Sequence, residues 1–321
     1  MSDDVRTPRQ TYKEALLTLA RADERIFCID ADTMGQQATF GAELPQRYIN
    51  VGIAEANAIG IAAGLAAAGR IPFFATMATF ATFRAAEQIK VDVVGNDLPV
   101  RIVGTHGGFA AGHLGSTHHA LEDLAVMRSL PGMTVVIAAD AARIERLVPA
   151  LARMPGPTYL RIGRDEALDV GGDLERLAVG EALTLREGDD VTIVAAGGYP
   201  LLMALEAHEA LAERGVRARV VEMHTISPID EEAIVDAAAS TAGIVTVEDH
   251  RVVGGLASAV AEVTAARQPC RVAAVGVPLS GPVRGRVGDH GDLLEAAGVT
   301  TKAVLDAAAA LLAGERVATA G

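Results

Sequence analysis

Short apolar runs recur along the chain: Ile26–Ile29, Ile71–Phe74, Val100–Thr105, Met133–Ile137, Val191–Ala195, Ala218–Glu222 and Ile244–Val247. Runs of this length with little polar alternation predict parallel strands covered on both faces. Between them lie longer stretches with helical spacing, Tyr12–Ala22, Ala54–Ala68, Phe83–Gly95, Ala141–Ala152, Pro200–Arg214 and Gly255–Ala266. Alternation of the two patterns predicts an α/β fold with mostly parallel sheets. No repeat with a period of roughly 20–50 residues is present. The rhythm lapses once, in RDEALDVGGDLERLAVGEALTLREG, a charged, glycine-bearing stretch. It predicts two consecutive α/β domains, 1–165 and 186–321, joined by a linker over 166–185. The tail Ala303–Gly321 reads as an alanine-rich helix with a frayed end.

Composition narrows the function. Half of the 321 residues are hydrophobic and 21% are charged, which supplies a large core. The 28 Lys and Arg stand against 41 Asp and Glu, a formal charge of −13. So large a surplus of acid argues against nucleic acid as a partner, since phosphate-backbone binding needs clustered bases. The first nine residues are polar, without the apolar core of a secretion signal. The uncharged apolar stretches Ala56–Gly69 and Ile71–Phe83 are shorter than the roughly 18 residues a membrane helix needs. Cys28 and Cys270 form no CxxC pair and read as reduced thiols beside apolar runs. A soluble, cytoplasmic protein is expected.

Two clusters stand out against this background. Four of the seven Phe fall between Phe73 and Phe83, and four of the eight His between His106 and His119. Met77, Phe80 and Phe83 recur at spacings of three; they can form an apolar shelf for a flat heterocycle or a plain core stripe. His106, His113, His118 and His119 lie in a glycine-rich stretch that opens where a strand ends, the usual place for a ligand crevice in α/β sheets. Imidazoles there can donate to sugar hydroxyls or phosphates; histidine without function is the other reading. Their spacings, with no Cys and no HExxH, do not match a zinc site, so no metal ligands are expected. Glu55 is a lone carboxylate in largely apolar surroundings. Burial would raise its pKa and let it donate a hydrogen bond to a ring nitrogen. An ordinary helix-start carboxylate facing the dipole is the alternative. The helix it opens, Ala54–Ala68, is small and apolar all round, which implies burial on every face, within one chain or in a seam between subunits through Gly60 and Gly64.

Taken together, the segments IDADTMGQ, YINVGIAEANA, FATMATFATF, THGGFAAGHLGSTHHALEDLAVMRSLPGMTVV and PTYLRIGR resemble the transketolase family. VTIVAAGG, TISPID, TVEDHRVVGGLASAVAE and GVPLSG extend the likeness through the second half. The match is to the C-terminal half, which occurs as a separate subunit in split transketolases. The resemblance implies a pyrimidine-binding domain followed by the transketolase C-terminal domain, and thiamine diphosphate as cofactor. Glu55 matches the glutamate that contacts N1′ of the aminopyrimidine, favouring the imino tautomer that takes the thiazolium C2 proton. Met77, Phe80 and Phe83 match the pyrimidine pocket, and Asp32 an aspartate near the cofactor. His106 and His118 match substrate-channel histidines, placed with Glu55 among the catalytic residues. Arg9 and Arg164 match phosphate-contacting arginines.

Departures point to unusual sugars. Leu114 stands where an Asp that reads a substrate hydroxyl is usual, and Gln36 where a phosphate-contacting Ser is usual. The family's GDG motif with a downstream Asn, which holds Mg²⁺ and the diphosphate, has no counterpart here. The expectation is therefore a beta subunit, active only with an N-terminal partner subunit carrying that motif, in an α₂β₂ heterotetramer. Together they would move a two-carbon ketol unit from a ketose to an aldose. A beta subunit of a 2-oxo-acid dehydrogenase or a deoxyxylulose phosphate synthase type is the alternative within the cofactor class. A noncatalytic module retaining the fold is the alternative outside it.

Overall fold

The computed structural model describes residues 6–164, 166, 168–281, 283 and 285–314. The end expected to fray, 315–321, lies outside the described residues. Among them are twelve strands: β1 Ile26–Asp30, β2 Tyr48–Asn50, β3 Ile71–Met77, β4 Arg101–Thr105, β5 Thr134–Ile137, β6 Thr158–Arg161, β7 Leu183–Arg186, β8 Val191–Ala196, β9 Ala218–Glu222, β10 Thr225–Ser227, β11 Ile244–Arg251 and β12 Val272–Val277. They form a seven-stranded sheet, β10-β5-β6-β4-β3-β1-β2, and a five-stranded sheet, β12-β11-β8-β9-β7. Pairing is parallel throughout except at the two edges, β10 on β5 and β7 on β9.

The apolar runs became central strands because helices cover both faces of each sheet. Every residue of β4, β5, β6 and β8 is buried. Each buried Ile, Val or Leu in them stabilises the fold by about 1.5–3 kcal/mol. The helix Ala141–Ala152 shows the complementary logic. Asp140 caps it by accepting from the Arg143 N–H, and Ile144, Leu147, Val148 and Leu151 form its buried stripe. One hydrophobic cluster runs from Ile102 and Val135 of the first sheet to Val221, Ile226 and Leu256 of the second half. The two sheets therefore share a core.

Several local expectations fail for identifiable reasons. The segment 83–95 is not one helix. A helix Ala78–Phe83 ends at Arg84, and Ala85 leaves helical geometry. A short turn, a π turn at Ile89–Val93 and a 3₁₀ turn follow. The break keeps Ala85, Ile89 and Val93 buried while Phe83 faces solvent. The helix Glu55–Ala67 is not buried on every face within this chain. Ala58, Ile59, Ala62 and Ala66 are buried, while Asn57, Gly60, Gly64 and Ala67 form an exposed edge. A Cβ at Gly60 or Gly64 would meet nothing within 4 Å. The edge strand β7 begins inside the stretch expected to be linker, and β10, from the second half, completes the first sheet. The four residues of β7 and the three of β10 carry too little pattern to be seen in sequence. Among the described residues no helix is long and apolar enough to cross a membrane.

Candidate functional site

The carboxyl ends of four neighbouring parallel strands, β6, β4, β3 and β1, lie along one edge of the first sheet, and the expected site residues follow them. Met77 closes β3 and precedes the helix Ala78–Phe83. That helix buries Ala78, Thr79, Ala81 and Thr82 and turns Phe80 and Phe83 outward, Phe83 to 59% exposure. Met77 and Phe80 are half-buried. The three are thus not a core stripe.

Glu55, at the start of its helix, is only 2% exposed. The sequence presents it as a lone carboxylate; the fold brings Arg84 to it, with Nη1 donating to Oε1 at 3.1 Å and to Oε2 at 3.2 Å. The Arg84 guanidinium also lies 3.8 Å from the centroid of the Phe80 ring. Phe80 also meets the His118 ring edge-on, with centroids 5.1 Å apart. His118 Nδ1 is 2.9 Å from the Thr117 hydroxyl. Glu55, Phe80 and His118 are therefore contiguous, joined by Arg84, which sequence reasoning missed. The available signal was a single arginine directly after the shelf.

A second group gathers at the ends of β1, β4 and β6. His106 follows β4 with φ 60°, and Asp32 follows β1 with φ 61°. Such backbone costs a non-glycine residue about 1–3 kcal/mol and concentrates at functional sites. The Thr105 hydroxyl donates to the Thr76 carbonyl at 3.3 Å and lies 2.7 Å from His106 Nδ1. With its hydrogen so engaged, the hydroxyl accepts from Nδ1–H and leaves Nε2 as an acceptor. Burial, reinforced by Arg9 and Arg164, lowers the His106 pKa to about 3. His106 is thus a neutral hydrogen-bonding group. Arg9 donates to the Thr33 carbonyl at 3.3 Å, and its backbone N–H reaches the Arg164 carbonyl at 3.4 Å. Arg164 Nη1 lies 3.0 Å from Nε2 of the exposed His113. Arg9, Arg164, His106 and His113 form one polar group.

The loop that carries Asp32 is shaped by Asp30, which sequence reasoning missed. Its buried carboxylate accepts from the N–H groups of Thr33, Met34 and Gln36 and from the Tyr48 hydroxyl at 3.1–3.3 Å. Asp32 itself is exposed. Gln36 is fully buried and Leu114 is 43% exposed, so of the two departures only Leu114 faces outward. His119 is buried edge-on against Phe109, with centroids 5.0 Å apart.

Behind the site runs a buried ionic chain that joins the halves. Arg161, at the end of β6, pairs with Asp123 at 3.1 Å and with Asp249 of β11 at 2.6 Å. Asp249 approaches His290 at 3.4 Å, and His290 approaches Glu166 at 3.2 Å. Burial alone would raise the Asp249 carboxyl, but Arg161 and His290 hold it well below the usual range. Burial works against charge on His290, and Asp249 and Glu166 outweigh it. The glycines after His106 make room for this chain. A Cβ on Gly107 would lie 2.5 Å from Arg161 Nε, and one on Gly108 2.3 Å from Asp249 Oδ2.

A buried carboxyl beside an outward aromatic face suits an aminopyrimidine, which needs an acidic partner at one ring nitrogen and a flat apolar support. Among the described residues no group of three or more His, Cys, Asp or Glu is arranged to hold a metal ion.

Comparisons with known proteins agree along the chain. Residues 5–168 match the transketolase pyrimidine-binding domain and residues 180–304 the transketolase C-terminal domain. A 6-deoxy-6-sulfo-D-fructose transketolase subunit from a Clostridium species is 40% identical over 302 residues, covering 94% of this chain and 92% of its own. An apulose-4-phosphate transketolase subunit from Phocaeicola vulgatus is 41% identical over 289 residues, covering 89% and 92%. A solved split-gene transketolase, described as an inactive beta4 tetramer, superposes with a TM-score of 0.85 at 41% identity, covering 96% of this chain and 98% of that one.

Proposed function

This chain belongs to the transketolase family, as the C-terminal subunit of a split, thiamine diphosphate-dependent transketolase, and from that premise we propose how its residues divide the work. Residues 1–165 form the pyrimidine-binding domain, and the C-terminal domain follows a linker shorter than 166–185, since its sheet already begins with β7 at Leu183. The cofactor supplies the nucleophilic carbon that carries the two-carbon unit. Glu55 holds and releases the proton at the pyrimidine nitrogen. Met77, Phe80 and Phe83 support the ring, and Asp32 borders the cofactor. His106 offers Nε2 to a sugar hydroxyl, and His118 faces the same channel. Arg9 and Arg164, with His113 beside them, bind a terminal oxyanion.

The observation that carries this reading is the buried Glu55 carboxyl next to the outward Phe80 shelf at the strand ends. The substrates are a ketose and an aldose with a terminal phosphate or sulfonate. The arginine pair supports that class, as do relatives named for a sulfo-sugar and a sugar phosphate. Mg²⁺ and the diphosphate are held by an N-terminal partner subunit with a GDG…Asn motif, in an α₂β₂ assembly. The exposed Gly60–Gly64 edge of the Glu55–Ala67 helix supports a seam between subunits beside the site. The free Cys28 and Cys270 support a reducing, cytoplasmic setting.

The test is reconstitution. The chain, its partner, thiamine diphosphate and Mg²⁺ should transfer two carbons between sugars, and neither chain should do so alone. Glu55→Gln should lower kcat by about 10²–10⁴-fold with the fold intact. Near wild-type turnover in that variant, or transfer by the isolated chain, overturns the reading. Release of CO₂ from pyruvate without transfer between sugars would point to the 2-oxo-acid class instead.

A further inference from the structure

We propose that Arg84 is a positioning residue that holds Glu55 and competes with the aminopyrimidine for it; this rests on Glu55 being the proton partner of the cofactor. Glu55 is almost fully buried, and among the described residues its hydrogen bonds go to one nitrogen, Arg84 Nη1, which touches both carboxylate oxygens. A buried carboxyl left without a partner is costly, so the contact with Arg84 is what satisfies Glu55 beneath Phe80. Arg84 itself is 44% exposed. The carboxylate thus opens toward solvent through the arginine, and a group reaching Glu55 from that side meets the guanidinium first.

The guanidinium also takes the second contact a pyrimidine needs. It is a flat, donor-bearing group lying 3.8 Å from the Phe80 centroid, as close as a stacked ring would lie. One flat donor group on Phe80 and Glu55 excludes another in the same place. Arg84 stands where the helix Ala78–Phe83 ends and Ala85 departs from helical geometry, so its backbone is tied into no continuing helix. Arg84 keeps Glu55 partnered and aimed until the ring displaces it, and the displacement lowers the apparent affinity for the cofactor.

The test is calorimetric titration of thiamine diphosphate into the complex with the partner subunit and Mg²⁺. Arg84→Met, which retains an unbranched apolar side chain, and Arg84→Ala should each tighten the dissociation constant by about 5- to 100-fold. Arg84→Lys keeps a charge beside Glu55 but loses the flat group on Phe80, so its dissociation constant should fall between those of wild type and Arg84→Met. The KM for the ketose should not move. Unchanged or weaker binding by a folded Arg84→Met complex overturns the proposal, since a structural or cofactor-gripping arginine would give that result. Should Arg84→Ala fail to fold, the Met and Lys variants decide. A wild-type complex that binds no thiamine diphosphate, or a fully active Glu55→Gln, would instead defeat the functional reading beneath it.

Discussion

The carboxyl ends of β4 and β11 are equivalent places in two sheets built on the same alternation, yet they are used oppositely. After β4 the chain leaves His106 strained and neutral beside the half-buried Arg9 and Arg164 and the exposed His113. At the end of β11 three ionisable residues, Glu248, Asp249 and His250, are all buried. Glu248 accepts from the N–H groups of Leu256 and Ala257, at 2.7 and 2.9 Å, and so caps the following helix. Burial raises its carboxyl to about 8. Asp249 is clamped to Arg161 of the first sheet. Both ends are buried, so the lesson is that what the buried groups pair with, and not burial alone, decides how a strand end is used. The second sheet docks its strand end against the first, which converts potential chemistry into structure.

Substitutions can break this contrast, and the largest effect is expected at the end of β11. Asp249→Ala leaves Arg161 and His290 buried without a shared partner, so chemical denaturation should show a loss of about 3–5 kcal/mol. A loss below 1 kcal/mol would mean the ionic chain does not hold the halves together. Beside His106 the balance should reverse. Arg164→Ala should raise KM for an anionic sugar about 10- to 100-fold, some 1.4–2.8 kcal/mol, while the melting temperature changes little. Equal losses in KM for charged and uncharged sugars would remove its oxyanion role.

The pH dependence of stability separates the ends further. Buried in the fold, His106 titrates near 3, against an ordinary value near 6.5. Between these values the unfolded chain binds the proton and the folded one does not, so stability falls as pH drops from about 6.5 toward 3. His106→Asn should flatten that slope by up to about 1.4 kcal/mol per pH unit in urea titrations across the window. An unchanged slope would place the titration elsewhere. The smallest effect belongs to the exposed link between the halves, Arg128 with Glu262 at 2.7 Å. Glu262→Ala should cost about 0.2–1 kcal/mol and weaken further in salt. A loss as large as that of Asp249→Ala would erase the distinction between the buried and exposed links.

Sequence alone determined the alternation, the parallel sheets and the strand end at which His106 sits, because runs buried on both faces are written as continuous Val, Ile and Ala; the strand before Arg164, β6, came only with the structure. It also marked Glu55 and the shelf by residue type, helped by the likeness to a known family. It did not reveal the short edge strands β7 and β10, which antiparallel partners impose on segments too brief to show a period. The break at Ala85, which turns Phe83 outward, was equally hidden, because local spacing there still reads as helix. Nor could it reveal that Arg84 pairs with Glu55 across 29 positions, or Arg161 with Asp249 across 88. Charge complementarity at such separations leaves no local pattern. It exists only once strand order and the packing of the two sheets bring the groups within a few ångströms, where burial makes each charge dependent on its partner.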